Sequence, residues 1–76
     1  MLKQAKPKIL VVDDEETLRY TIVTFLSREG YEVDTAGSYK EGLVKLSSIC
    51  FDLILTDIML GDGTGVDILQ EVNKRN

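Results

Sequence analysis

Apolar and polar positions along this chain fall into blocks whose period switches repeatedly between that of a strand and that of a helix. Residues 9–12 (ILVV) are an unbroken apolar run, the pattern of a parallel strand covered on both faces. Leu18, Ile22, Phe25 and Leu26 then recur at helical spacing, and Gly30 supplies a stop just beyond. Residues 31–36 alternate, with Tyr31, Val33 and Thr35 on one side and Glu32 and Asp34 on the other, which predicts an edge strand. Ser38 and Glu41 fit the S-x-x-E capping box, so a second helix starts there, with Leu43 and Leu46 on its buried face. Residues 53–55 (LIL) form another apolar strand that ends on Thr56-Asp57. A loop with Gly61, Gly63 and Gly65 follows, and Thr64 can cap a third helix carrying Val66, Leu69 and Val72. Asp67 stands in that helix's first turn, where the dipole favours an acid. The order β-α-β-α-β-α, at roughly 25 residues per unit, predicts an α/β fold with right-handed crossovers in one parallel sheet.

Composition narrows the function classes. The chain has 76 residues, enough for one domain, and its nine Lys and Arg against thirteen Asp and Glu leave a net charge of -4. No basic face is available to neutralise phosphates, which argues against direct nucleic-acid binding. A single cysteine and no histidine exclude an intrachain disulfide and Cys/His zinc sites; Cys50 reads as a small half-buried thiol. Residues 1–8 are lysine-rich, but the apolar run that follows is too short for a signal-peptide core or a membrane span. A cytoplasmic location without membrane contact is expected, with residues 1–7 as a lead and 8–76 as the domain.

The acidic residues are concentrated where strands end. Asp13 and Asp14 leave the first strand, and Asp57 leaves the third. In an open parallel α/β sheet, ligands bind beyond the carboxyl ends of the strands. If these two strands are neighbours, their axes lie about 4.8 Å apart, and three carboxylates crowd into one small pocket. Charges that close repel unless a cation sits among them. Oxygen donors without histidine or a usable thiolate point to Mg²⁺ (or Mn²⁺), which takes one or two carboxylates and seeks a phosphate oxygen. One carboxylate could also act as a nucleophile and form an acyl phosphate. For Glu15 and Glu16, a favourable charge at a helix N-terminus is explanation enough. Asp62, among glycines, reads as local turn chemistry.

At these residues the sequence resembles the receiver domain of two-component response regulators. The matching stretches are ILVVDDEE at 9–16, DLILTDIML at 52–60 and GDGTGVDIL at 61–69. The resemblance implies a flavodoxin-like receiver fold with sheet order 2-1-3 for the three units present. It implies Asp57 as the phospho-accepting aspartate, with a sensor histidine kinase as donor. It further implies Asp14 as a direct Mg²⁺ ligand, Asp13 as the residue orienting the metal, and the backbone carbonyl of Met59 as another ligand.

Gly61 departs from the proline common at that place in relatives. The larger departure is length: receivers have five β-α units, so this chain reads as the N-terminal three-fifths of one, truncated after the third helix. The switch Ser/Thr and the lysine of the fourth and fifth strands are absent, and the third strand is left as an open apolar edge. Such an edge invites pairing, so a dimer through it, or an exchange of elements, is expected. Two other functions compete with a phosphoryl-accepting signalling module that is not a turnover enzyme. One is an aspartate-nucleophile phosphatase, disfavoured because Met59 occupies the place of its second aspartate. The other is an interaction module with an inactive pocket.

Overall fold

The computed structural model describes residues 6–75, so the expected lead at 1–7 lies mostly outside the described residues. The expected units follow in order: β1 (Lys8–Val12), α1 (Glu16–Arg28), β2 (Glu32–Ala36), α2 (Tyr39–Ser48), β3 (Leu53–Thr56) and α3 (Gly65–Arg75). Between β3 and α3 the glycine-rich segment folds into a small antiparallel pair, β4 (Met59–Leu60) and β5 (Gly63–Thr64), where only a loop was expected. The main sheet is parallel with order β2-β1-β3. Strand β1 lies at its centre, as its unbroken apolar run requires.

Register decides which residues share a face. Leu10 pairs with Ile54, whereas Ile9 and Val11 pair with Leu53 and Leu55. The first face joins Leu10, Val12, Ala36, Leu60 and Ile68 in one core, with Tyr39, Leu46, Phe51 and Val72 packed around it. Helix α1 covers the other face over β1 and β2. That leaves Leu53 and Leu55 50% and 38% exposed on β3. The outer edge of β3 is open among the described residues, as expected. Antiparallel pairing of two such edges about Ile54 and Leu55 would set Asp52 opposite Asp57 of the second copy, a like-charge contact that opposes it.

Helix ends follow the expected chemistry with two refinements. Ser38 Oγ accepts from the Glu41 amide at 3.0 Å, but the Glu41 side chain reaches the Gly37 amide at 2.7 Å, one residue before the cap. Thr64 and Asp67 close a full reciprocal box at the start of α3. Gly30 ends α1 with φ +96°, a conformation that suits glycine.

Three side-chain expectations are corrected. Helix α3 buries Gly65 and Ile68 and half-buries Val72, whereas Val66 and Leu69 are each 53% exposed. Both stripes are apolar at helical spacing, so only docking against α2 and the sheet selects between them. On α1, Ile22 and Leu26 are half-buried while Leu18 and Phe25 look outward, because the helix lies over only part of the sheet. Cys50 is exposed, not half-buried, since it falls on the connection between α2 and β3.

One ion pair ties α2 to the sheet. Lys45 Nζ lies 2.9 Å from Asp34 Oδ1. Partial burial works to raise the Asp34 pKa, but the Lys45 and Thr35 hydrogen bonds and the Lys45 charge outweigh it and hold the carboxyl below its usual range. A lowered folded pKa contributes stability above the unfolded value, and that stability is lost as the pH falls through the folded pKa. Lys45→Met is expected to cost under about 1 kcal/mol at neutral pH, the pair being a third exposed. The difference from the parent should shrink once the pH falls below about 4. Urea titrations at neutral and acid pH measure it; a loss that grows in acid would contradict the assignment.

Candidate functional site

The sheet continues one residue past its strand ends and brings the acids level. The Asp57 amide donates to the Val12 carbonyl at 2.9 Å, and the Asp13 amide donates to the Ala36 carbonyl at 3.1 Å. Because Val12 pairs with Thr56, the next residues, Asp13 and Asp57, emerge side by side. Asp14 follows in the turn into α1. One carboxylate oxygen from each of Asp13, Asp14 and Asp57 lies within 4.8 Å of the others. The three residues expected from the strand ends are therefore brought together.

Their surroundings differ. Asp13 is 6% exposed, and its Oδ1 accepts from the Glu15 amide at 2.9 Å, which fixes its rotamer and satisfies a free donor at the start of α1. Asp14 and Asp57 are exposed. Among the described residues no buried side-chain nitrogen or oxygen lacks a partner. The donor set is three carboxylates, one anchored and two open to solvent, with no nitrogen or sulfur ligand. It fits a hard divalent cation that retains waters, which is the behaviour of Mg²⁺.

Met59, expected to lend its carbonyl, stands in β4 two residues beyond Asp57, with its side chain 69% exposed. The turn between them is pinned by the Gly65 amide, which donates to the Ile58 carbonyl at 2.8 Å. A Cβ on Gly65 would come within 2.6 Å of the Asp57 carbonyl oxygen, so only glycine lets α3 begin this close to the Asp57 turn. Asp62 does more than shape a turn. Its two oxygens accept the Tyr39 and Lys40 amides at 2.7 and 3.0 Å, capping α2 from the loop that follows Asp57. The Lys40 amide and then the Tyr39 amide hold its carboxyl below the usual range. No local signal announces this, because the partners are 22 and 23 residues away. A surface cleft of about 440 Å³ lies between α1 and β2 and is lined by residues such as Tyr20, Val23 and Thr35; none of the three aspartates borders it.

A family model described as the response regulator receiver domain matches residues 9–76. The chain belongs to the receiver family of response regulators. Among curated relatives, it is 38% identical over 68 residues to response regulator RR06 of Streptococcus pneumoniae, covering 90% of this chain and 31% of that protein. It is 40% identical over 67 residues to response regulator ArlR of Staphylococcus saprophyticus, covering 88% and 30%. Among solved structures, a CheY-like receiver domain protein from Methanospirillum hungatei superposes with TM-score 0.91 at 36% identity, covering 95% of this chain and 58% of that one. TrrA from Thermotoga maritima, solved in complex with Mg(2+)-BeF, gives TM-score 0.87 at 38% identity, covering 92% and 61%.

This receiver sequence thus spans about a third of the curated relatives' length and about three-fifths of the solved chains. The flavodoxin-like fold and the 2-1-3 sheet order expected of the family are both present. Among the described residues no helix is long and apolar enough to cross a membrane.

Proposed function

We propose that this receiver accepts a phosphoryl group on Asp57, in a Mg²⁺-dependent reaction, from the phosphohistidine of a sensor histidine kinase. The observation that carries the reading is the convergence of Asp13, Asp14 and Asp57 within 4.8 Å at the carboxyl ends of neighbouring parallel strands. The family match and the relative solved with Mg(2+)-BeF support it.

The exposed Asp57 carboxylate is the nucleophile. One of its oxygens forms a bond to phosphorus as the bond from phosphorus to the donor's imidazole nitrogen breaks, and that nitrogen keeps the electron pair and takes up a proton. Asp14, Asp57 and the Met59 carbonyl would hold Mg²⁺ directly, and Asp13, anchored by the Glu15 amide, would orient it. Bound there, Mg²⁺ offsets the charge of the carboxylates and of the incoming phosphoryl oxygens. What the chain itself supplies is position: two ladder hydrogen bonds and a glycine contact fix where Asp13 and Asp57 stand. The product is an acyl phosphate that changes affinity for partners. A phosphatase using the same acids would need an acid/base two residues beyond the nucleophile, and Met59 cannot serve.

A sensor kinase carrying labelled phosphohistidine should pass its label to this chain in the presence of Mg²⁺, and Asp57→Asn should receive none. Transfer to Asp57→Asn at the parental rate would sink the reading.

A further inference from the structure

We propose that Arg19 is a positioning residue for the acidic site, holding the turn from β1 into α1 so that Asp13 and Asp14 are set for a divalent cation. The inference rests on the Mg²⁺ reading above and adds a residue to it.

Asp13 is fastened on every side. Its amide is bonded to Ala36 of β2, and one carboxylate oxygen accepts from the Glu15 amide. Its carbonyl projects past the sheet ladder, and the Arg19 guanidinium donates to it from Nη1 at 2.7 Å. The Arg19 amide donates to the Glu15 carbonyl at 3.0 Å, which seats the side chain one turn into α1. The guanidinium lies beside Gly37, just beyond β2, where a Cβ would stand 3.1 Å from Nη1 and 3.4 Å from Cζ. Arg19 therefore spans α1, the end of β1 and the end of β2. It is half-buried and outside the hydrophobic core. Water could satisfy the Asp13 carbonyl in its absence, so its loss should loosen the turn without dismantling the fold. Groups that orient metal ligands without touching the metal typically matter about 10- to 100-fold in affinity.

Mg²⁺ affinity is measured by calorimetry for the parent, Arg19→Ala, Gly37→Ala and the double variant, with circular dichroism to confirm folding. Arg19→Ala is expected to bind Mg²⁺ about tenfold more weakly. Its rate of phosphorylation by acetyl phosphate at saturating Mg²⁺ should stay near the parent's, a split that a general loss of stability would not produce. Gly37→Ala crowds the guanidinium but keeps its charge, so whatever change it makes in affinity should vanish in the Arg19→Ala background. Parental affinity in a folded Arg19→Ala overturns the proposal, as does a Gly37→Ala effect that persists undiminished in the double variant. Should Arg19→Ala not fold, Arg19→Met, which keeps the side-chain stem and removes the donor to the Asp13 carbonyl, decides: weakened binding supports the proposal and parental affinity overturns it. A parent that binds no Mg²⁺ overturns this and the proposed function together, whereas a binding parent with unaltered variants overturns this inference alone.

Discussion

Ile68→Ala is expected to leave much of the chain unfolded at 25 °C. Ile68 is fully buried, the only large side chain of α3 to be so, and it meets the sheet face formed by Leu10 and Val12. Truncating such a residue costs about 2–5 kcal/mol through lost transfer free energy and the cavity left behind. A single core in a chain this short supplies roughly 3–5 kcal/mol in all, so the substitution consumes most of the margin. Leu69→Ala, at a position 53% exposed, should change stability by well under about 1 kcal/mol. Urea unfolding followed by circular dichroism compares them. If Leu69→Ala costs more than Ile68→Ala, helix α3 docks with the opposite face.

Addition of Mg²⁺ should raise the thermal midpoint strongly in the parent and not at all in Asp14→Asn. Three carboxylate oxygens within 4.8 Å repel one another. Each pair costs about 1 kcal/mol in a water-like medium and more where Asp13 is buried. Without the cation, removing one of these charges should therefore stabilise the fold, so Asp14→Asn should melt above the metal-free parent. With Mg²⁺ at a hundredfold excess over its Kd, binding to the folded state contributes about 2.7 kcal/mol, or roughly 10–20 °C for a domain of this size. The order of stabilities should then reverse, with the parent above Asp14→Asn. Such a reversal separates a site strained in favour of function from an incidental acidic patch. Equal midpoints for the two chains in both conditions would count against it.

Much of this arrangement was legible beforehand because it rests on local signals. Period and length distinguish the apolar run at 9–12 from the helical stripes around it, and the Ser38 and Thr64 caps announce their helices. Asp13, Asp14 and Asp57 could be matched as strand-end acids, but their approach to 4.8 Å depends on β1 and β3 being neighbours in the correct register. What could not be read depends on how elements dock. Val66, Ile68, Leu69 and Val72 are all apolar, and two stripes can be drawn through them. Asp62 finds its amides at Tyr39 and Lys40 only after the chain has folded, as does Arg19 the carbonyl of Asp13. Residues 59–64 contain four polar or glycine positions that mask a pair of two-residue strands.

The central claim is that the acidic cluster accepts a phosphoryl group on Asp57. Intact mass after incubation with acetyl phosphate and Mg²⁺ tests it most directly, beside Asp57→Ala and an EDTA control. The account predicts a single phosphoryl adduct on the parent and none in either control. An adduct that persists in Asp57→Ala, or no adduct on a folded parent with Mg²⁺ present, would contradict it.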